Sequence, residues 1–349
     1  MPNSTSTIPT ASVIGAGAWG TTLARHLAQQ GKMVHLWAHE PEVVHSILSK
    51  RENSLFLPGV ALPENLIPTN SLNEAIHKVD LILLAVPSHV MRKIVQTLVP
   101  LLSSPVPLVI ATKGIEEGSL KLMSQVLNEI LPPPWTQGIT VLTGPTFAAE
   151  VCQHKPATVL LAGQDSTLTA DLQAVFMSPS FRVYTGTDLI GAQLGGALKN
   201  VMAIAAGVVD GLGLGMNARA ALITRGLTEI IRLGLALGGD LHTLYGLSGL
   251  GDLVLTCTGS LSRNHTVGFK LGKGQTLDAI QQDTKTIAEG VRTTRAAVDL
   301  AMHLQVDMPI AQSVYAILFQ GKSSQQVVTD LMTRAAKEEA VLSSTKTVN

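Results

Sequence analysis

The sequence ASVIGAGAWG occupies residues 11–20, and TTLARHLAQQ follows it at residues 21–30. The first five residues predict a strand, the glycines from Gly15 to Gly20 predict a turn, and the last ten residues predict a helix. In this order, Gly15 permits a tight turn, Gly17 lets the backbone approach a pyrophosphate, and Gly20 lets the helix pack closely on the sheet. The N–H groups at the start of the helix then suit an anion. The stretch therefore predicts the phosphate-binding turn of a dinucleotide site.

Length, charge and cysteine content limit the class of protein. A chain of 349 residues suggests about two to three domains at ~150 residues each. Its 25 Lys and Arg residues equal its 25 Asp and Glu residues, so no overall charge attracts nucleic acid or an anionic membrane. Cys152 and Cys257 lie far apart and match no zinc-site spacing, which argues against a metal site or a disulfide scaffold and fits a cytoplasmic setting.

Two different patterns divide the chain. The first alternates short apolar runs with helical segments, and it predicts strands at residues 13–14, 33–37, 80–86, 108–111, 139–142, 158–161 and 182–184. Such nearly unbroken apolar runs are typical of parallel strands covered on both faces, so residues 12–187 are predicted to form a doubly wound α/β domain of the Rossmann type. Residues 188–340 show Ala, Leu, Ile and Gly at helical spacing, which predicts an all-helical C-terminal domain. Most of the substrate and catalytic candidates described below lie in this domain.

Two segments require a separate interpretation. Residues 1–11 are polar and lack the basic and apolar regions of a signal peptide, so we expect a disordered tail. Residues 201–216 are apolar but rich in Gly and Ala and interrupted by Asp210, which favours a buried helix over a membrane span.

The end of the second predicted strand bears on the choice of cofactor. In an NAD site, an acidic residue about 20 residues after the glycines binds the ribose 2′-OH. Here the strand leads into Ala38-His39-Glu40, and His39 can accept a 2′-phosphate. We therefore expect NADP(H) and NAD(H) to be used, with NADPH favoured. The alternative is that His39 is an ordinary loop residue and that Glu40 caps the helix starting at Pro41.

Polar residues follow three predicted strands at the edge where open α/β sheets bind their ligands. The three segments are VPSH at residues 86–89, ATKG at residues 111–114 and TGPTFA at residues 143–148. Lys113 places a cation at this edge, where it can bind a carbonyl oxygen or a phosphate. A solvated loop lysine would show the same pattern.

Three motifs in the helical half carry further candidates. Lys199 and Asn200 interrupt an apolar helix, in which the lysine either reaches the surface or lies at a cleft with a pKa lowered by desolvation. Asp252 follows a glycine-rich turn and either caps a helix or orients the Lys199 amine. The tripeptide Ser262-Arg263-Asn264 suits a phosphate, or else simply begins a solvated helix.

Taken together and in order, these motifs resemble the bacterial-type NAD(P)-dependent glycerol-3-phosphate dehydrogenases. The resemblance extends over residues 12–337 and rests on the segments GAGAWG at 15–20, TKG at 112–114, GPTFA at 144–148, LKN at 198–200, GLGDL at 249–253 and SRN at 262–264. It implies a reversible, metal-independent hydride transfer that reduces dihydroxyacetone phosphate (DHAP) to sn-glycerol 3-phosphate. It also implies a place in glycerophospholipid biosynthesis in the cytoplasm.

The resemblance assigns roles to individual residues. Lys199 corresponds to the proton donor and acceptor, Lys113 to a second lysine at the ketone oxygen, and Asp252 and Asn200 to groups that orient this pair. The implied substrate contacts are Lys113, Gly144, Thr146, Lys199, Asp252, Ser262, Arg263 and Asn264. The implied cofactor contacts are Gly15, Gly17, Ala18, Trp19, Gly20, His39, Lys113, Ala148, Arg263, Ile287 and Glu289.

Two other functions stay open on the sequence alone. A 3-hydroxyacid or 6-phosphogluconate-type dehydrogenase also joins a dinucleotide domain to a helical domain and uses a lysine, but it recognises a carboxylate. A non-catalytic NAD(P)H sensor can share the fold, yet it gives no reason for Lys113, Lys199, Asp252 and Arg263 to occur together. The expected partners are DHAP and sn-glycerol 3-phosphate, without nucleic acid or a membrane span, and a homodimer is compatible with the sequence.

Overall fold

The computed structural model describes residues 8–282 and 288–339. The strands are β1 (Thr10–Ile14), β2 (Met33–Trp37), β3 (Glu52–Asn53), β4 (Leu57–Ala61), β5 (Leu66–Thr69), β6 (Leu81–Leu84), β7 (Leu108–Ile110), β8 (Ile139–Thr143), β9 (Ala157–Gly163) and β10 (Phe181–Gly186). The helices of the first half are α1 (Ala18–Gln29), α2 (Pro41–Lys50), α3 (Leu72–Ala75), α4 (Ser88–Leu98), α5 (Met123–Ile130), α6 (Pro133–Thr136), α7 (Ala148–Cys152) and α8 (Ser166–Phe176).

Helices make up the regular structure of the second half. They are α9 (Leu189–Gly211), α10 (Gly215–Ala236), α11 (Leu241–Tyr245), α12 (Asp252–Thr258), α13 (Arg263–Gly272), α14 (Leu277–Gln282), α15 (Glu289–His303), α16 (Pro309–Phe319) and α17 (Ser324–Met332). A Rossmann-type sheet followed by helices confirms the predicted fold class. The division into folding units at residues 187 and 188 stays a prediction.

Eight strands form one sheet in the order β10-β9-β8-β7-β6-β1-β2-β5. Strands β6, β7 and β8 are buried at every residue, which explains their unbroken apolar runs. The sheet is not wholly parallel as expected, because β9 pairs antiparallel with β8 and β10 then runs parallel to β9. The intervening helix α7 has only five residues and packs on α1. It therefore does not supply the crossover that a parallel return requires.

The structure also adds strands that sequence analysis missed. Strands β3 and β4 form a small hairpin, and β5 pairs with β2 at the sheet edge. Pro58 in β4 and Pro68 in β5 interrupt the strand pattern, since proline removes a ladder donor and is confined largely to edges. Prolines therefore interrupt the apolar runs of β4 and β5, and β3 is only two residues long, so these strands have no recognisable sequence pattern.

The N-terminal strand begins earlier than predicted. Thr10 donates its N–H to Asp80 Oδ2 at 3.1 Å and accepts from the Asp80 N–H at 2.9 Å. Ile8 is also buried. Residues 8–11 of the expected tail are therefore part of the fold, while residues 1–7 lie outside the described residues.

Helix α9 is the centre of the helical half, and α10, α12, α13 and α15 pack around it. Asp188 caps its start by accepting from the N–H groups of Ile190 and Gly191 at 3.0 and 2.9 Å. In the described residues it is the one helix long and apolar enough to cross a membrane, but that stretch is wholly buried inside the protein. The segment predicted to be a buried helix at residues 201–216 comprises the end of α9, a turn and the start of α10.

Glycines allow α9 and α13 to touch backbone to backbone. A Cβ on Gly207 would lie 2.1 Å from the carbonyl oxygen of His265, and one on Gly268 would lie 1.9 Å from that of Ile204. Gly211 and Gly272 repeat this contact one turn further along. The start of α13, which carries Ser262-Arg263-Asn264, is thereby fixed against the helix that carries Lys199.

Candidate active site

Three charged side chains meet at the carboxyl edge of the sheet. Lys199 Nζ donates to Asp252 Oδ1 at 2.5 Å, and Lys113 Nζ donates to Asp252 Oδ2 at 2.6 Å. Lys113 also reaches the carbonyl oxygen of Gly144 at 3.3 Å. Asp252 is fully buried and the Lys199 side chain is 8% exposed. One buried carboxylate therefore holds two ammonium groups side by side.

The sheet places Lys113 through its neighbours in the chain. Thr112 follows β7 and donates its hydroxyl to the carbonyl oxygen of Val86 after β6 at 2.6 Å, which ties the ends of the two strands together. The lysine stem packs on α9 at Gly196, where a Cβ would lie in ordinary contact with Lys113 Cδ at 3.5 Å and closer to Thr143 Oγ1, at 3.1 Å.

Asp252 directly follows a π-helical turn, Leu247–Gly251, and this turn positions it in the site. The turn lies directly on α9, since a Cβ on Gly195 would come within 2.5 Å of the carbonyl oxygen of Ser248. Thr256, one turn further along α12, donates its hydroxyl to the Asp252 carbonyl oxygen at 2.6 Å and lies 3.4 Å from Oδ1. Sequence analysis missed Thr256, although its spacing of four residues from Asp252 on a helix was a usable signal.

Burial and charge give Lys199 an unusual pKa. The pKa of its amine is lowered to about 8: desolvation is the main cause, the Asp252 carboxylate acts in the opposite direction, and the nearby Lys113 charge adds to the lowering. An amine with a pKa near the working pH can give up and recover a proton readily. Of the two interpretations of Lys199, the structure excludes the one in which the amine reaches the surface, because the side chain is 8% exposed and bonds to Asp252.

Glu289, at the start of α15, also has a shifted pKa. Burial raises the pKa of its carboxyl to about 7, and the charges of Arg263, Lys113 and Lys199 act in the opposite direction. These charges place Glu289 in the electrostatic environment of the lysine pair. The other predicted cofactor contact in this segment, Ile287, lies outside the described residues.

A chain of amides links three helices beside the lysines. Asn264 Nδ2 donates to Asn200 Oδ1 at 2.9 Å, and Asn264 Oδ1 accepts from the Gly290 N–H at 2.9 Å. Asn200 therefore joins α9 to α13 and, through Asn264, to α15. In the described part of the chain its side chain bonds to Asn264 rather than to Lys199 or Asp252, so its implied role in orienting the lysines stays a prediction.

Ser262 and Arg263 lie at the beginning of α13. Ser262 Oγ accepts from the His265 N–H at 3.2 Å and so caps the helix, and Arg263 is the exposed first residue. The Ser262 hydroxyl still has a proton to donate. His265 is itself held by Asp210, whose Oδ2 lies 2.8 Å from Nε2.

The glycine turn has the geometry that a dinucleotide needs. Gly15 has φ +115°, and a Cβ there would lie 2.8 Å from the Ala85 carbonyl group, while one on Gly20 would lie 1.9 Å from the Gly15 oxygen. A Cβ on Gly17 would meet no atom within 4 Å. Gly17 also begins α1 without a side-chain cap. The fold thus needs two of the glycines, and the third leaves open space before the helix N-terminus, where an anion binds well.

One further observation fits a dinucleotide at this turn. The indole nitrogen of Trp19 is buried and has no hydrogen-bond partner within residues 8–282 and 288–339. Buried donors are nearly always satisfied in proteins. Ala18 and Trp19 are the first residues of α1 after Gly17, so the residue that carries this donor adjoins the turn.

The remaining predicted residues lie in loops and at the beginnings of helices. His39 is exposed, with its ring 6.1 Å from that of Trp37. Helix α2 begins at Pro41 as predicted, but the Glu40 side chain makes no capping bond to it. Thr146 donates its hydroxyl to the Gly144 carbonyl oxygen at 3.2 Å, and Ala148 begins α7.

Comparison with known proteins covers both halves of the chain. Residues 10–169 match the family model for the N-terminus of NAD-dependent glycerol-3-phosphate dehydrogenase, and residues 188–329 match the model for its C-terminus. The chain is 53% identical over 327 residues to the glycerol-3-phosphate dehydrogenase (NAD(P)+) of Geobacter metallireducens, covering 94% of this chain and 98% of that protein.

Solved structures of similar proteins agree with this match. The glycerol-3-phosphate dehydrogenase of Coxiella burnetii superposes with a TM-score of 0.89 at 39% identity, covering 94% of this chain and 99% of that one. The enzyme of the same name from Saccharomyces cerevisiae gives a TM-score of 0.78 at 28% identity, over 92% of this chain and 98% of that one.

Replacing the shared carboxylate tests the electrostatic account of the site. We expect Asp252→Asn to lower the pKa of Lys199 below its value of about 8, because the carboxylate raises that pKa and the Lys113 charge lowers it. NMR titration of protein labelled with ¹³C at lysine Cε measures the change, and Lys199→Arg assigns the signal. Thr256→Val keeps the carboxylate and serves as the control. An unchanged or raised pKa in Asp252→Asn would contradict this account.

Proposed function

The chain belongs to the NAD-dependent glycerol-3-phosphate dehydrogenase family, and we propose that it reversibly reduces DHAP to sn-glycerol 3-phosphate with Lys199 as the proton donor. The observation that carries this proposal is the buried Asp252 carboxylate, which holds the Lys199 and Lys113 amines at 2.5 and 2.6 Å. The product is the backbone from which glycerophospholipids are built.

The chain's own residues supply the proton and the electrostatic stabilisation. A nicotinamide cofactor bound at the glycine turn supplies the hydride to C2 of the ketone. As negative charge develops on the C2 oxygen, the Lys113 and Lys199 amines stabilise it, and Lys199 donates a proton to that oxygen. In the oxidation direction, neutral Lys199 accepts the hydroxyl proton. A pKa of about 8 makes both protonation states accessible near neutral pH.

The start of α13 is proposed to bind the substrate phosphate. Arg263 can form paired hydrogen bonds to phosphate oxygens, and Ser262 and Asn264 add polar groups beside it. The N-terminus of this ten-residue helix also favours an anion. Gly144 and Thr146 would contact the substrate next to Lys113, whose Nζ lies 3.3 Å from the Gly144 oxygen.

The alternatives account less well for the arrangement. An NAD(P)H sensor gives no reason for two ammonium groups, one buried and one partly buried, to converge on one buried carboxylate. A dehydrogenase for hydroxyacids or 6-phosphogluconate disagrees with the family match over both halves of the chain.

Cellular location and assembly are part of the same proposal. We propose a cytoplasmic enzyme, which is supported by two cysteines that are buried and unpaired. We also propose a homodimer, which is compatible with the sequence. Residues 12–187 would bind the cofactor and residues 188–340 would carry most of the catalytic groups.

Removing the proton donor should abolish most turnover. We expect wild-type protein to oxidise NADPH when DHAP is added, and Lys199→Ala to lower kcat by about 10²- to 10⁴-fold. Loss of absorbance at about 340 nm, the nicotinamide band, follows the reaction. Lys121→Ala is a matched control, because Lys121 pairs with Glu129 on the surface. A near-normal kcat for Lys199→Ala would contradict its role.

Removing the phosphate ligand should instead affect substrate binding. We expect Arg263→Ala to raise the KM for DHAP by about 10- to 100-fold with a smaller change in kcat, since a phosphate contact persists from ground state to transition state. Dihydroxyacetone, which lacks the phosphate, is the control substrate, and its kcat/KM should change little. An unchanged KM for DHAP would remove Arg263 from the phosphate site.

Cofactor choice should depend on His39. We expect the wild type to use both nucleotides with a lower KM for NADPH, and His39→Asp to shift the preference toward NADH, because a carboxylate repels the 2′-phosphate and binds the 2′-OH. His45→Asp introduces the same charge at an exposed position on α2 and should leave the preference unchanged. A strong preference of the wild type for NADH would refute the proposal.

A further inference from the structure

We propose that Asn53 is a positioning residue for the cofactor: its side-chain amide fixes the Ala16–Gly17 peptide so that the Gly17 N–H points into the phosphate-binding space. This inference rests on the proposed dinucleotide site at the glycine turn. Asn53 lies in the β3–β4 hairpin, 37 residues after Ala16, and none of the sequence motifs includes it.

Both polar atoms of the Asn53 side chain have hydrogen-bond partners. Its Nδ2 donates to the carbonyl oxygen of Ala16 and to the hydroxyl of Thr21, both at 2.8 Å, and its Oδ1 accepts from the Phe56 N–H at 3.1 Å. Thr21 in turn donates its hydroxyl to the same Ala16 oxygen at 3.1 Å. Asn53 and Thr21 are both fully buried. Both donors of the amide are therefore used on the glycine turn and the first turn of α1.

Holding the Ala16 oxygen also sets the direction of the next N–H. A peptide unit is planar, so the carbonyl of Ala16 and the N–H of Gly17 turn together. Gly17 cannot hold this plane itself, because glycine is conformationally free and a Cβ there would meet no atom within 4 Å. The open space that admits a phosphate thus requires an anchor from elsewhere, and Asn53 supplies it.

The hairpin that carries Asn53 is itself firmly held. Ser46 Oγ on α2 donates to the Glu52 carbonyl oxygen at 2.7 Å, and the Leu62 N–H donates to the Arg51 carbonyl oxygen at 2.7 Å. Arg25 on α1 donates from Nε to the Ala61 carbonyl oxygen at 3.0 Å. Hydrogen bonds therefore fix both ends of the hairpin, and they hold the Asn53 side chain in position against the glycine turn.

A matched control separates positioning from general support of α1. Asn65 Nδ2 donates to the carbonyl oxygens of Ala28 and Lys32 at 2.8 and 2.7 Å, at the opposite end of the same helix. Asn65→Ala and Asn53→Ala thus each remove two side-chain bonds to the α1 region. Only Asn53→Ala removes bonds to the glycine turn.

The experiment compares nucleotide binding and backbone protection in the full-length variants. We expect Asn53→Ala to raise the Kd for NADPH, measured by nucleotide fluorescence, by about tenfold, with kcat at saturation close to that of the wild type. Asn65→Ala should change the Kd by less than about twofold. In nucleotide-free protein, amide hydrogen exchange at residues 15–21 should accelerate in Asn53→Ala, whereas Asn65→Ala should accelerate it near residues 28–32.

Each possible result for the Kd either supports or overturns the positioning role of Asn53. An unchanged Kd for Asn53→Ala, or an equal rise in both variants, overturns the positioning role. If Asn53→Ala does not fold, Asn53→Leu decides instead, because it keeps the shape of the side chain and removes both Nδ2 donors. A raised Kd supports the role, and an unchanged Kd overturns it. If the wild type binds neither NADPH nor NADH, the proposed function fails first and this inference falls with it.

Discussion

The whole site depends on one buried carboxylate shared by two ammonium groups. Asp252 has no exposed surface, and the lysines it holds come from different parts of the chain, Lys113 after β7 and Lys199 within α9. Moving charges out of water is costly unless they are paired. The helical half must therefore close onto the edge of the sheet for these three groups to be stable. Removing Asp252 would leave two like charges facing each other, and that is why the same contact serves both the fold and the chemistry.

Close packing between backbones fixes the positions of these charged groups relative to one another. Helix α9 contacts the turn before Asp252 at Gly195 and contacts α13 at Gly207 and Gly211, where a Cβ would lie 2.1 to 2.5 Å from a carbonyl oxygen. Lys199 lies between these two contacts. Lys199, the proposed proton donor, and the helix proposed to bind the phosphate are thus set relative to each other by helix backbones. Such contacts leave less freedom than long side chains would allow.

Sequence reasoning found the features that have a local signature and missed those that depend on distant contacts. The glycine turn, the buried strands and Lys199 each show a pattern within a few residues. The antiparallel course of β9 does not, because it follows from the short helix α7 packing on α1. Asn53 likewise has no local pattern. Its side chain bonds to Ala16 and Thr21, which lie 37 and 32 residues earlier in the chain. The Asn200 amide is an intermediate case, since its motif was found but its partner Asn264 could only be seen in three dimensions.

The titrating groups explain how a chain with no net charge can attract a doubly anionic substrate. The site combines three cations, Lys113, Lys199 and Arg263, with the carboxyls of Asp252 and Glu289. Burial lowers the pKa of Lys199 to about 8 and raises that of Glu289 to about 7. Deprotonation of either group removes positive charge from the site as the pH rises. The electrostatic attraction for a phosphate therefore weakens as the pH rises. With Lys199 in its proposed role, reduction is favoured at lower pH, where its amine carries the proton, and oxidation is favoured at higher pH, where the neutral amine can act as the base.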